Sequence, residues 1–313
     1  MPHCRCGRLW RLWNEHICRS DQGGHESCTP GHARQAARAQ TVYGGSCHPG
    51  TLHACLLQAE VASARIVTLD TSIARKMPYV RAIASADDAP GMHGIGIADH
   101  PLFARDVIRY DGEPIAAVAA GTLEQAKAAA AAIILELELE GAARGGNVAW
   151  EAKVVGGDTD AAFARPDVEI IDSCFRVGRQ NRVPFEPRAV VASFEDGRFH
   201  IQTSTQVPWT VRHATAKVLG VPDSQVRVTV PPVGGAFGLK FDCSLEPFAA
   251  ILARATGHRV ALVNSRREEM LTCLCRENAK IRIRSAATKA GEIVGREATV
   301  LMDCGAYGGQ QVS

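Results

Sequence analysis

The stretch Gly234-Gly235-Ala236-Phe237-Gly238-Leu239-Lys240 sets three glycines and an alanine around one phenylalanine, directly after a strand-like run. Glycine permits positive φ and lets the main chain approach a ligand closely. The stretch is therefore expected to lie against something large. A phosphate loop needs Ser or Thr after its lysine, and here Phe241 follows Lys240. A dinucleotide fingerprint needs G-x-G-x-x-G opening a helix, a spacing these glycines lack. A third reading is a tight loop that offers backbone N–H groups and one aromatic ring to a flat or anionic cofactor.

Other polar residues carry milder expectations. Gln206, read alone, is an exposed loop amide. Glu186 reads as a structural acid paired with Arg188 or a backbone amide, not as a base. Lys240 reads either as a partner for cofactor or substrate charge or as a solvated lysine. Arg266, Arg267, Glu268 and Glu269 read as a solvent-facing helix start, with the acids near the positive end of the helix dipole. His213 and His258 read as ordinary helix and turn residues. Eleven cysteines occur, five within the first 47 residues, and none forms a C-x-x-C pair. That gives little support to a zinc or iron–sulfur site, and the odd count fits a reduced, cytoplasmic setting.

The elements that must position these residues begin after a change of texture. Residues 1–48 hold six arginines and no lysine in their first 40 positions, without helical or strand periodicity. They read as an unpacked segment or one foreign to the rest of the chain, rather than a metal-binding arm built on His3, Cys4, Cys6 and His16. No apolar core followed by a cleavage site marks a signal peptide. From residue 51 onward, strands are expected over 51–58, 64–70, 79–85, 107–112 and 114–121, with a short helix over 71–77 capped by Thr71 or Asp70. The clearest helix follows Thr122, with Gln125 at the capping-box position. Residues 135–140 alternate as a half-exposed strand does. After a Gly-rich linker come a strand over 168–178, a hairpin turning at Gly197, and a helix stopped by Gly220 that buries Val211, Ala214 and Val218. A strand before Pro231, a helix closed by Gly257 and three further strands complete the pattern. A formal charge of +2 argues against a nucleic-acid surface, and no apolar run is long enough to cross a membrane.

Five motifs in order carry a resemblance: Glu186-Pro187-Arg188, Ser204-Thr205-Gln206-Val207-Pro208, Gly234 to Lys240, Ser265 to Met270 and Asp303 to Gly308. With the PGTLHA and YDGEPIAAVAA runs upstream, they resemble the molybdenum hydroxylases, the family of xanthine dehydrogenase, aldehyde oxidase and aerobic carbon monoxide dehydrogenase. The resemblance implies an α+β chain: an a/b hammerhead domain over 49–141, a linker over 142–165, and the incomplete first part of a molybdopterin-binding domain over 166–313. It implies a molybdenum–molybdopterin cofactor, with 2Fe–2S and FAD carried on partner subunits, and oxidation of an aldehyde, N-heterocycle or related small molecule with water-derived oxygen. Gln206 falls where the family's amide hydrogen-bonds an oxygen ligand of the metal. Gly235, Ala236, Phe237 and Gly238 fall where the loop meets the cofactor, so that the cofactor would take the space of the missing side chains, with Phe237 as a wall.

Two departures stand out. Ala236 replaces a glycine common in the family, which a methyl group tolerates only at negative φ. Phe241 stands where purine-oxidising relatives carry glutamate, which disfavours a purine. The family's base glutamate and most pterin contacts lie beyond residue 313, so no residue here is assigned as the catalytic base. The chain alone is expected to hold no cofactor, and an apolar edge is expected around residues 292–308. The alternative is a non-catalytic short form serving as a scaffold or binding module.

Overall fold

The computed structural model describes residues 49–94, 97–141 and 148–309; the expectations for residues 1–48 lie outside them. Fifteen strands and six α-helices are described. The first eight strands are Leu52–Gln58 (β1), Ala64–Asp70 (β2), Val80–Ala84 (β3), Met92–His93 (β4), His100–Pro101 (β5), Val107–Ile108 (β6), Pro114–Ala120 (β7) and Ile134–Leu139 (β8). The remaining seven are Val168–Val177 (β9), Ala189–Glu195 (β10), Arg198–Thr203 (β11), Val226–Thr229 (β12), Val260–Val263 (β13), Ala279–Thr288 (β14) and Ile293–Met302 (β15). The helices are Ser72–Arg75 (α1), Leu123–Ala131 (α2), Thr159–Phe163 (α3), Pro208–Leu219 (α4), Glu246–Thr256 (α5) and Arg266–Thr272 (α6).

One seven-stranded mixed sheet, ordered β12-β11-β10-β13-β1-β7-β3, takes strands from before residue 142 and from after residue 165. The joint is parallel pairing of β1 with β13, Leu52 opposite Val260. Strand alternation sends side chains to opposite faces, and β1 obeys it. Leu52, Ala54 and Leu56 enter one core with Phe248 to Ala253 of α5, while Cys55 enters a second core with Ala126, Ala129 and Ala130 of α2. The sheet's middle is thus covered on both faces, and β7 is buried along its whole length. Phe248 meets Phe103 edge to face, ring centroids 4.9 Å apart. Burying a side chain of that size stabilises by about 1.5–3 kcal/mol.

Local sequence accounts for the helix ends. Thr122 Oγ1 accepts from Gln125 N and Gln125 Oε1 accepts from Thr122 N, closing the expected capping box. Gly220 and Gly257 end α4 and α5 at φ +67° and +66°, a conformation that only glycine adopts without penalty. α4 buries Val211 and Val218 as expected, but Ala214 is only half-buried, and Thr215, Ala216 and Leu219 complete its inward face.

β15, β14 and β9 form a separate antiparallel sheet with β15 at its edge. Ile293, Val300, Leu301 and Met302 of that edge strand are exposed, so the expected apolar edge is present. β6, β2 and β8 form a third sheet. No helix among the described residues is long and apolar enough to cross a membrane.

Candidate functional site

Two segments meet at the sheet margin. One leaves β11 through Ser204 to Val207 and enters α4 at Pro208. Proline suits the first helical turn, where its missing N–H would have no partner anyway. The other segment leaves β12 and forms the loop 232–241. Three hydrogen bonds tie the two together: Gly238 N donates to Gln206 Oε1 at 3.0 Å, Gln206 N to Lys240 O at 2.9 Å, and Thr205 Oγ1 to Lys240 O at 3.2 Å. The structure thus brings Gln206 and Gly238 into direct contact.

The first of these bonds fixes the amide's orientation. A backbone N–H only donates, so the carboxamide oxygen of Gln206 must face Gly238. Its Nε2 is turned away and has no acceptor among the described residues. The N–H groups of Gly235, Ala236 and Phe237 likewise donate to nothing among the described residues.

The glycines answer to particular neighbours. Gly235 and Gly238 have φ +101° and +83°; a Cβ on Gly235 would stand 3.2 Å from Cε2 of Phe237, and one on Gly238 3.5 Å from the Arg182 guanidinium. A Cβ on Gly234 would lie 2.7 Å from Oε2 of Glu186. At Gly234 and Gly235, then, the chain's own side chains take up the space that glycine leaves. Ala236 is not among the residues at positive φ, which accommodates its methyl group. Phe237 is at φ +51° and is 69% exposed.

Beneath the loop lies a buried charge cluster that local sequence reading missed. The Lys240 ammonium is fully buried, 3.2 Å from Glu186 Oε2, where either a solvated or a ligand-facing lysine was expected. Burial pushes its pKa down, against the pull of Glu186. The same carboxylate oxygen accepts from Gly234 N. Glu186 therefore takes a backbone amide as expected, but not Arg188, which pairs with Glu269 at 3.1 Å and donates to Thr272 Oγ1 at 2.9 Å. Glu269 is 1% exposed and also accepts from Asn264 Nδ2 at 2.9 Å; the expectation of a wholly solvent-facing helix start fails there because its buried partners lie outside the helix. Glu268 closes a capping box with Ser265, whose S-x-x-E spacing was the available signal. Among the described residues, His213 and His258 hydrogen-bond to Asp223 and Thr256, near them in the chain.

Asp242 is held in the same interior. Burial lifts its carboxyl to about 6, opposed by the Cys243 N–H and by Arg188. Arg188 and Asp242 also line a cavity of about 540 Å³ whose wall includes Gln58, His93, His100 and Tyr110. Gln206 and residues 234–238 are not part of that lining. No cluster of metal-ligating side chains occurs among the described residues.

Two family models match in sequence order. Residues 38–140 match the aldehyde oxidase and xanthine dehydrogenase a/b hammerhead domain, and residues 142–313 match the molybdopterin cofactor-binding domain. The chain is 32% identical over 277 residues to a probable xanthine dehydrogenase subunit from Bacillus subtilis, covering 83% of this chain and 37% of that one. It is 32% identical to the nicotinate dehydrogenase large molybdopterin subunit of Eubacterium barkeri, covering 83% and 65%. Among solved structures, the aldehyde oxidoreductase from Desulfovibrio gigas superposes with a TM-score of 0.71 at 27% identity, covering 83% of this chain and 32% of that one. Quinoline 2-oxidoreductase from Pseudomonas putida gives 0.74 at 27%, covering 91% and 40%. The chain spans less than two thirds of the length of each of these proteins. Both matched regions, the shared fold and the ordered motifs agree: the chain belongs to the molybdenum hydroxylase family, matching its large subunit over the a/b hammerhead domain and the adjoining molybdopterin-binding region.

Proposed function

We propose that Gln206 and the loop Gly235-Ala236-Phe237-Gly238 form one wall of a molybdenum–molybdopterin site, in a hydroxylase that oxidises an aldehyde, N-heterocycle or related small molecule. The observation that carries this is the Gln206–Gly238 contact at 3.0 Å. It turns the amide Nε2 outward, and the adjoining N–H groups of Gly235, Ala236 and Phe237 also have no acceptor among the described residues, beside the exposed Phe237. Uncharged donors grouped in this way suit an oxygen-rich anionic centre, so the residues present fit the group. Such a centre, when bound, supplies two-electron oxidation of a carbon with oxygen taken from water.

The chain's own residues bind and orient. Gln206 donates from Nε2 toward the metal's ligands, and an amide does so without changing charge. Phe237 gives a flat molecule a wall. Glu186 is not available as a base, because its carboxylate is held by Lys240 and Gly234 N. By the family resemblance the base is assigned outside the described residues, and the chain alone is proposed neither to retain the cofactor nor to turn over. Phe241 argues against a purine substrate. The division into 49–141, 142–165 and 166–313, the iron–sulfur and FAD partner subunits and a cytoplasmic setting belong to the same proposal. Relatives named as the large subunit of nicotine 6-hydroxylase and as a subunit of a dehydrogenase complex support the partners.

The test is metal content by mass spectrometry and dye-linked turnover with benzaldehyde, quinoline and xanthine. The chain is assayed alone and assembled with its proposed partners. Molybdenum and turnover are expected only in the assembly, where Gln206→Ala keeps the metal and lowers turnover about 10–100-fold. Wild-type turnover by that variant overturns the role of Gln206, and stoichiometric molybdenum on the lone chain overturns its proposed inactivity.

A further inference from the structure

We propose that the buried Lys240–Glu186 pair positions the site, holding the Gln206 amide in register with the Phe237–Gly238 backbone. This deepens the reading above and rests on it for what the loop faces. The geometry comes from the chain alone. Lys240 works from both ends: its ammonium meets Glu186 Oε2 at 3.2 Å, while its carbonyl oxygen accepts from Gln206 N and Thr205 Oγ1. Glu186 in turn accepts from Gly234 N, at the opposite end of the glycine loop. The stretch from Gly234 to Lys240 is therefore held at both ends through Glu186, and the Gln206 segment hangs from the same lysine.

The missing side chain at Gly234 fits this arrangement. A Cβ there would lie 2.9 Å from Glu186 Cβ and 2.7 Å from its Oε2, so glycine is what lets the carboxylate reach the backbone. A neutral pair of similar volume would fill the interior as well. What the charges add is direction, since a carboxylate accepts from a backbone N–H more strongly than a neutral group does. The neighbouring pair Arg188–Glu269 has partners of its own in Asn264 and Thr272; its two charges act on Lys240 with opposite signs, while the direct contact of the ammonium is with Glu186. Both are positioning residues: they act on the site through Gly234, Gly238 and Gln206.

The test uses amide hydrogen exchange, read by NMR on the full chain without cofactor. Its outcome therefore does not depend on whether molybdenum binds. Lys240→Met with Glu186→Gln removes both charges at nearly constant volume and avoids stranding one buried ion. The expected result is exchange about tenfold faster at Gly234 and Gly238, with protection unchanged at core amides such as Val190 and Leu252. Lys240→Met alone should loosen the same two glycines at least as much. Loop amides as protected as in the parent chain overturn the proposal. So does a loss of protection spread equally over core and loop, which would make the pair a general stabiliser only.

Discussion

Tyr307 donates its hydroxyl to Oε1 of Glu113, joining positions 194 residues apart. Glu113 is almost wholly buried, and its other oxygen accepts from Arg109 N at 2.6 Å. Burial raises the Glu113 pKa while these two donors oppose the rise. The contact fastens the segment after β15 to the turn before β7. Tyr307→Phe keeps the stack on His100, whose centroid is 4.2 Å away, and removes the donor to Glu113 together with a longer acceptor contact, from Arg109 Nη1 at 3.3 Å. A hydrogen bond to a charged group is worth about 1.5–3 kcal/mol, so denaturant unfolding at pH 7 should show a loss of about 2 kcal/mol. The loss should shrink as the pH is lowered and Glu113 takes up a proton, since the neutral acid has less need of that donor.

The loop separates backbone strain from side-chain need. Gly238→Ala places a methyl group at φ +83° and should destabilise by about 1–2 kcal/mol. Phe237→Gly relieves a positive φ and deletes a mostly exposed ring, so it should leave stability unchanged or slightly raised. Thermal melts of the two variants check the contrast, and equal losses would contradict it.

Glu269 anchors Arg188 and Asn264 together. Glu269→Ala leaves a buried guanidinium without its anion and should cost about 3–5 kcal/mol. Glu269→Gln keeps an acceptor for Asn264 and should cost less. Urea midpoints of the two variants give the order.

Asp242 supplies a pH signature. Its folded pKa, about 6, lies above the ordinary 3.8, so the folded state holds the proton more tightly than the unfolded one. That contribution favours folding at low pH and is lost as pH rises from about 4 to about 6. Asp242→Asn removes the penalty and retains an acceptor for the Cys243 N–H. It should raise stability at pH 7.5 relative to pH 4.5 by on the order of 2 kcal/mol, measured by denaturant titration at both values.

His100 acts with the opposite sign. Burial lowers its pKa from 6.5 to about 3, so the unfolded chain takes up a proton first as pH falls below 6.5. Stability supplied by the neutral ring is lost over that range. His100→Phe should flatten the decline between pH 6.5 and 4.5 by about 2 kcal/mol, whatever its effect at pH 7.5.

What could be read from the sequence was what neighbours in the chain decide. Thr122 and Gln125 cap α2 because the two partners are three residues apart, and the alternation of 135–140 reappears in the half-exposed β8. The hairpin turning at Gly197 pairs Val190 with Thr203 as its pattern suggested. The contact between Gln206 and Gly238 was indicated only by motif order. Lys240 could not be placed, because nothing near it announces an acid more than fifty residues upstream folding beneath the loop. Glu269 misled for a related reason: its helix start looks solvent-facing until Arg188 arrives from the segment just before β10. The positive φ of Phe237 has no local signal either, since a phenyl side chain disfavours it.

The parallel seam between β1 and β13 also sets a schedule. Leu52 leaves the ribosome some two hundred residues before Val260, the residue it must face. At ordinary synthesis rates that is a wait of roughly 10–40 s, during which β1 has β7 on one side and an open edge on the other. A nascent chain arrested before residue 260 would expose that edge together with the core face meant for α5. The chain's early half is thus where a holding chaperone would be needed.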